Sequence, residues 1–167
     1  MNAPKTNALR LLEAEQIDYT PYEYAADDGR IDAVSVAAKI GAPPEQVFKT
    51  LVAESPDREH FVFVIPGDAE LDLKKAARVA GKKSMEMLKA KELLPLTGYV
   101  HGGCSPVGMK KQLPCWIDES AILFDRIMVS GGRVGLNLAV DPERLAAFLH
   151  AAFTDLAKDP ARPDKNL

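Results

Sequence analysis

One lysine of the sequence lies in an apolar segment, where a charge is costly to bury. In the run Phe48-Lys49-Thr50-Leu51-Val52, the alternation of a β-strand puts Lys49 on the face opposite Phe48 and Thr50, and both faces are otherwise apolar. A cation with a buried stem could hold a phosphate group or polarise a carbonyl. A lysine near a strand end can also extend its ammonium into solvent, and the pattern alone favours that ordinary arrangement.

Two glycine-rich segments approach nucleotide-binding motifs, and both fail. In Gly103-x4-Gly108-Met109-Lys110 the lysine is displaced by one residue from its place in a P-loop, no Ser or Thr follows it, and Pro106 removes an amide donor. The glycines at 131, 132 and 135 lie between two strands, whereas a dinucleotide-binding turn joins a strand to a helix. We therefore expect no nucleotide hydrolysis and no bound cofactor.

The thiols and imidazoles offer one further candidate site. Cys104 lies three residues after His101 and could form a nucleophile pair with it, although a small buried thiol is the commoner state of such a cysteine. Cys104 and Cys115 are separated by ten residues, which fits neither a CxxC redox pair nor a zinc site. We expect no metal site.

The charge of the chain is unevenly distributed. The protein has 167 residues and a net charge of −3. Residues 74–111 hold nine basic and two acidic side chains, a local charge of +7, against −10 for the rest of the chain. Such a basic zone can bind a polyanion, and it can equally be the solvated face of helices.

Length and composition predict one globular domain. A chain of this length buries roughly two thirds of its unfolded surface without needing disulfides or a structural metal. No apolar run approaches the roughly 18 residues of a membrane span, and the N-terminal segment lacks the apolar core of a secretory signal. We expect an intracellular, cytoplasmic protein that has no membrane contact.

Helices and short strands alternate in the prediction. Caps and apolar spacing predict helices over residues 6–15, 32–40 and 72–80, and strands over residues 17–24, 48–53, 61–65, 115–117, 126–130 and 133–139. Strand 61–65 is apolar on both faces and should be central, whereas Pro21 places strand 17–24 at an edge. A Gly131-Gly132 turn should join the last two strands, and a final helix should continue to Leu156.

This order of elements predicts an α+β fold, with a single domain built around a curved mixed β-sheet. We expect the domain to span residues 1–158, followed by a loose C-terminal tail over residues 159–167.

Four segments in register carry a resemblance to a known family. They are Phe48-Lys49-Thr50-Leu51-Val52, Leu71-Asp72-Leu73-Lys74-Lys75, Thr97-Gly98-Tyr99 with residues 102–108, and residues 129–136. Over residues 5–158 the chain resembles the YbaK/EbsC family, whose members are similar to the editing domain of bacterial prolyl-tRNA synthetases. The resemblance implies a barrel-like mixed sheet flanked by helices. It also implies trans-editing, which is the deacylation of mischarged tRNA, chiefly Cys-tRNA(Pro).

The resemblance also implies roles for particular residues. Lys49 matches the essential lysine of the family, which is thought to hold the terminal adenosine region of the tRNA, and Gly102 and Gly103 match a loop that approaches the aminoacyl ester. Further substrate contacts are expected from Tyr22, with Tyr24 close enough to leave the register open, and from Thr50, Ser130 and Asn137. Where relatives often have Gly-Leu-Asp, this chain has Gly135-Leu136-Asn137. Phosphate contacts to the tRNA backbone are expected from Lys74, Lys75, Lys82 and Lys83.

Three functions remain open after the sequence analysis. The first is an editing deacylase in which the thiol of the cysteinyl substrate attacks its own ester and releases a cyclic thiolactone. The protein then only positions the ester and donates hydrogen bonds to the oxyanion. Ala- or Ser-charged tRNA is an alternative substrate. The second is a module that binds aminoacyl-tRNA or prolyl-tRNA synthetase without chemistry. The third is a small-molecule hydrolase that uses Cys104.

Overall fold

The computed structural model describes residues 5–159, and these residues form an α+β fold, as predicted. Their helices are α1 (Asn7–Ala14), α2 (Ala33–Ile40), α3 (Leu73–Ala80), α4 (Ala90–Thr97) and α5 (Pro142–Leu149). Their strands are β1 (Tyr19–Glu23), β2 (Phe48–Glu54), β3 (His60–Pro66), β4 (Glu86–Met87), β5 (Cys115–Asp118), β6 (Ile127–Arg133), β7 (Leu136–Val140) and β8 (Ala152–Thr154). Among these residues, no helix has the length and apolar content that crossing a bilayer requires.

The strands divide into two sheets that meet beside the start of β2. The smaller sheet has the order β1-β7-β6 and is antiparallel. The larger has the order β4-β2-β3-β5-β8 and is mixed, because β5 pairs parallel with both β3 and β8. One isolated parallel bridge, Val47 to Met128, links the two sheets. The predicted mixed sheet is thus present, although it does not close into a barrel.

Strand β3 is central, as its sequence predicts. It lies between β2 and β5, and Phe61 to Ile65 are all buried because core clusters cover both faces of the strand. The edge position predicted for strand 17–24 is also confirmed, since β1 pairs only with β7 among the described strands. Pro21, which has no amide proton, is tolerated at such an edge.

Helices α2 and α3 have aspartate N-caps and glycine C-caps. Asp32 accepts a hydrogen bond from the Ser35 amide at 3.0 Å, and Asp72 accepts one from the Lys74 amide at 2.9 Å. Each helix ends at a glycine with a left-handed backbone. These caps fix where α2 and α3 begin and end.

The predicted Gly131-Gly132 turn is wrong. Strand β6 continues through both glycines to Arg133, and the register against β7 shifts between Ser130 and Arg133, which is a β-bulge. Gly132 has a φ of +100° within this bulge, a value that disfavours other residues. The chain turns instead at residues 134–135.

The predicted final helix is too long. Helix α5 ends at Leu149, and His150 adopts a left-handed conformation with φ of +54°. The chain then forms β8, which pairs parallel with β5, and Leu156 is fully buried in the core. Pairing with a strand distant in sequence outweighs the helical spacing of the apolar residues. Beyond residue 159, the predicted tail lies outside the described residues.

Candidate active site

A cavity of about 320 Å³ opens where the two sheets meet. Its walls come from the start of β2, the N-terminal end of α2 with the segment before it, the residue after β3, the loop after α4, and β6 with β7. Five of the residues expected to contact substrate line it together: Lys49, Thr50, Gly102, Ser130 and Asn137. Because the cavity lies at the start of β2, residues from both faces of that strand reach it.

Lys49 places a half-buried ammonium at the wall of the cavity. Its Nζ donates a hydrogen bond to the carbonyl oxygen of Gly67 at 3.3 Å, and it forms no ion pair with a carboxylate of residues 5–159. Burial lowers the pKa of Lys49, and the more distant charges of Glu70, Asp68 and Asp32 oppose that shift. The ammonium therefore retains donors for an anionic or carbonyl-bearing ligand.

Gly67 is a site residue that the sequence analysis missed. A Cβ at this position would lie 2.5 Å from the Ala33 Cβ and 2.7 Å from the Val47 carbonyl oxygen, so a larger residue cannot occupy it without displacing backbone. Its amide donates to that same Val47 oxygen at 2.6 Å. These contacts fix the carbonyl that holds Lys49. The Pro66-Gly67 pair signals only the end of a strand in the sequence.

Thr50 carries an unpaired polar atom. Its Oγ1 is buried and has no hydrogen-bond partner among the described residues, and Thr50 lines the cavity. Burying a hydroxyl without a partner costs about 1–3 kcal/mol. The hydroxyl is thus an unsatisfied buried group beside the cavity, and solvent does not reach it.

Ser130 and Asn137 line the same cavity from the smaller sheet. The Ser130 hydroxyl accepts from the Gly132 amide at 3.2 Å and so supports the bulge. Asn137 is buried, and its Oδ1 accepts from the Leu138 amide at 3.1 Å. The side-chain NH2 group of Asn137 is therefore the part that remains available to a ligand.

The two glycines at 102 and 103 have different surroundings. Gly102 lines the cavity with a φ of +84°, and a Cβ there would overlap the side chain of Ile31. Gly103 packs on the turn between β6 and β7, since a Cβ would lie 2.8 Å from the Val134 nitrogen. Its amide donates to the Val100 carbonyl at 3.0 Å. Of this pair, Gly102 is the residue at the cavity, and Gly103 is a packing position.

Of the two candidate tyrosines, Tyr24 lines the cavity and Tyr22 does not. Tyr24 lines the wall, whereas Tyr22 pairs with Asn137 across the sheet and packs on a cluster formed by Ala37, Val47, Met128 and Ala139. Tyr22 lies within β1, whereas Tyr24 follows the end of that strand. The two side chains therefore have different surroundings although they are two positions apart in the sequence.

Cys104 and His101 both line the cavity but do not form a nucleophile pair. Burial raises the pKa of the Cys104 thiol to about 12, and a hydrogen bond with Thr97 opposes the shift. A thiol with that pKa is protonated at neutral pH and is a poor nucleophile. Within the part of the chain that the structure describes, His101 makes no hydrogen bond to Cys104, so a base to activate the thiol is not in place.

The four lysines expected at the tRNA backbone differ in their surroundings. Lys75 forms an ion pair with Asp155 at 2.8 Å, and Lys82 forms ion pairs with Asp57 at 2.9 Å and Glu59 at 3.0 Å. Lys74 and Lys83 are exposed and pair with no carboxylate of the described residues. Lys75 and Lys82 are therefore already neutralised by the protein itself.

The fold and the cavity define a small α+β domain with a ligand-binding site. The domain presents a partly desolvated ammonium and a glycine backbone in one cavity, beside a buried hydroxyl without a partner, and burial raises the pKa of the thiol there. Such a site suits the binding and polarising of a ligand more than attack by a nucleophile of the protein.

Comparison with known proteins gives the family. Residues 30–148 match the model of the aminoacyl-tRNA editing domain, and the chain belongs to that family. It is 41% identical to EbsC of Enterococcus faecalis, provisionally named a Cys-tRNA(Pro)/Cys-tRNA(Cys) deacylase, over 91% of this chain and 93% of that protein.

Two further relatives extend the comparison. A proline–tRNA ligase of Geobacter is 32% identical over 64% of this chain, which corresponds to 18% of the ligase. A crystal structure described as a provisional trans-editing enzyme for prolyl-tRNA synthetase superposes with a TM-score of 0.80 at 27% identity, over 94% of this chain and 100% of that one.

Proposed function

We propose that the protein is a trans-editing deacylase that removes cysteine from mischarged Cys-tRNA(Pro). The observation that carries this proposal is the half-buried Lys49 ammonium, which lies in a cavity lined also by Thr50 and Gly102 and forms no ion pair with a carboxylate of residues 5–159. The ammonium has one protein acceptor, the Gly67 carbonyl oxygen at 3.3 Å, and can donate further to the oxygens of the terminal nucleotide's phosphate or of the aminoacyl ester. Membership of the editing-domain family and the similarity to EbsC support the same substrate class.

The reaction needs no nucleophile from the protein. The substrate's own sulfur attacks its ester carbon, a C–S bond forms, and the C–O bond to the terminal ribose breaks. The thiol proton ends on the ribose oxygen, so the products are a four-membered thiolactone and tRNA with a free hydroxyl. The protonated state of Cys104 agrees with this route.

The protein contributes position and charge stabilisation. Lys49 holds the anionic end of the substrate or the ester carbonyl, and a charge-assisted hydrogen bond of this kind is stronger than a neutral one. Gly102 lines the cavity and its amide donates to no acceptor among the described residues, which leaves that amide available to the developing oxyanion.

The bulk of the tRNA requires a second contact area. We propose that exposed lysines without ion pairs, Lys74 and Lys83 among those predicted, contact backbone phosphates, and that Lys75 and Lys82 add little because carboxylates already neutralise them.

The resemblance to part of a proline–tRNA ligase supports action on tRNA(Pro), with prolyl-tRNA synthetase as a partner, in the cytoplasm where translation takes place. We further propose that residues 1–158 form one editing domain.

Deacylation of Cys-, Ala- and Pro-tRNA(Pro) by the purified protein, measured side by side, tests the proposal. Selective loss of cysteine supports it. Preference for Ala-tRNA(Pro) would instead indicate a water-dependent reaction, because alanine has no thiol. Tight binding of all three substrates without deacylation would indicate a binding module.

A further inference from the structure

One wall of the cavity is a loop, residues 24–32, which joins β1 to α2. Three of its residues, Tyr24, Ile31 and Asp32, line the cavity. The Ile31 side chain covers Gly102 on the side where a Cβ would otherwise project. We call this segment the wall loop, since its position sets the shape of the cavity next to the glycine amide.

The hydrogen bonds within the wall loop do not hold it to the rest of the protein. The Gly29 amide donates to the Ala26 carbonyl at 3.1 Å, and the Arg30 amide donates to the Asp28 carboxylate at 3.0 Å. Both bonds are local to the loop, and residues 27–30 are exposed. The loop is anchored at its start by the bond between the Tyr24 amide and the Gly135 carbonyl, and at its end by the cap of α2.

Lys39, in the last turn of α2, connects the middle of the wall loop to the helix. Its ammonium donates to the carbonyl oxygens of Ala25 at 2.6 Å and Arg30 at 2.9 Å, and to the Asp28 carboxylate at 2.7 Å. These bonds use all three of its donors. Among the described residues, no other side chain donates a hydrogen bond to residues 25–30 from outside the loop.

Two further observations agree with a specific role for this tether. The Lys39 Nζ lies 5.9 Å from the centre of the Tyr24 ring, within the range of a cation–π contact. The hydrogen bond from Lys39 is also the main reason that the pKa of Asp28 is lowered. Lys39 lies at the protein surface, but its side chain is 21% exposed and three oxygens of the protein surround its ammonium.

We infer that Lys39 is a positioning residue for the proposed editing reaction: it holds the wall loop against α2 so that Tyr24 and Ile31 complete the cavity beside Gly102. Lys39 does not line the cavity itself. The inference rests on the proposed function for its catalytic consequence, but the tether itself can be tested without any tRNA.

Limited proteolysis tests the tether. Trypsin cleaves after Arg30, in the exposed part of the wall loop. Lys39→Met keeps the length of the side chain and removes the donors, and we expect cleavage between Arg30 and Ile31 to become about tenfold faster, because local opening becomes more frequent. The control is Lys5→Met, which removes a surface ion pair with Glu13 at 2.8 Å, far from the loop in sequence. Equal cleavage rates in the wild type, Lys39→Met and the control would overturn the inference.

Steady-state deacylation tests the catalytic consequence. For Lys39→Met we expect KM to rise about tenfold and kcat to stay within about twofold, because bound substrate restores the closed loop at a cost in binding. Lys39→Arg should recover most of the loss, since a guanidinium can still reach two carbonyls and Asp28. Asp28→Asn should give a smaller effect than Lys39→Met, as it keeps an acceptor.

The outcomes of the two experiments are separable. The positioning role would be overturned if Lys39→Met lowered kcat and left KM unchanged. It would also be overturned if Lys39→Arg restored resistance to trypsin but did not restore KM. If no tRNA is deacylated by the wild type, the proposed function fails, and the proteolysis result still decides whether Lys39 holds the loop.

Discussion

Replacing Lys49 by methionine should separate catalysis from stability. Methionine keeps the approximate length and volume of the lysine stem, so packing at the start of β2 should be preserved. The change removes the ammonium and its bond to the Gly67 carbonyl, which is long at 3.3 Å. It also removes the cost of half-burying a charge, so we expect the free energy of unfolding to change by less than about 1 kcal/mol.

The effect on activity should be much larger. A hydrogen bond from a charged donor to a substrate oxygen contributes up to about 3 kcal/mol, which corresponds to roughly 150-fold in rate. We therefore expect kcat/KM for Cys-tRNA(Pro) to fall by about 100-fold in single-turnover assays of Lys49→Met, and to be unchanged in the control Lys5→Met. Wild-type turnover in a folded Lys49→Met variant would refute the role of the ammonium.

The pH dependence of stability gives an independent check on the burial of Lys49. Since burial lowers its pKa below the usual 10.5, the unfolded chain binds this proton more tightly than the folded protein does. Wild-type stability relative to Lys49→Met should therefore rise with pH through the window between the lowered value and 10.5, and be lowest below that window. Urea unfolding of both proteins from pH 7 to 10.5 measures the difference, and a constant difference would mean that the lysine is fully solvated.

Two further predictions concern Cys104 and the basic surface. Cys104→Ser should keep the deacylation rate within about twofold of wild type. The wild-type thiol should resist alkylation by iodoacetamide at pH 8, because burial raises its pKa to about 12. Loss of activity in a folded Cys104→Ser variant would favour the cysteine-dependent hydrolase. Lys83→Gln should weaken binding of all tRNAs alike and reduce the slope of log K against log salt by about one unit. Lys82→Gln is the matched control, because Asp57 and Glu59 already neutralise that lysine, and equal slopes for the two variants would contradict the assignment.

Local signals in the sequence predicted much of the secondary structure. The caps at Asp32 and Asp72 act within four residues, so they can be read without knowledge of the fold. The errors came where a distant strand decides the outcome. The apolar spacing of Phe153 and Leu156 continues that of α5, yet pairing of β8 with β5 makes this segment extended.

The site could be predicted only in part, and mostly from the family resemblance. Spacing alone favoured a solvated Lys49, whereas the structure gives it a half-buried position beside Gly67. The contribution of Gly67 depends on Ala33 and Val47 approaching it from other elements, which no local pattern reveals. The ion pair of Lys75 with Asp155 likewise joins α3 to the segment after β8. Such pairings depend on tertiary structure and cannot be inferred from a run of like charges.

Comparison of Cys-tRNA(Pro) with Ser-tRNA(Pro) tests the central claim most directly, because the two substrates differ only in a sulfur and an oxygen at the same position. The ratio of the two deacylation rates is measured under single-turnover conditions with excess protein, and each rate is corrected for spontaneous hydrolysis. If the substrate's thiol is the nucleophile, Cys-tRNA(Pro) should be deacylated at least about 100-fold faster, equivalent to roughly 2.7 kcal/mol in the barrier, with thiolactone as the first product. Equal rates for the two substrates would contradict the account.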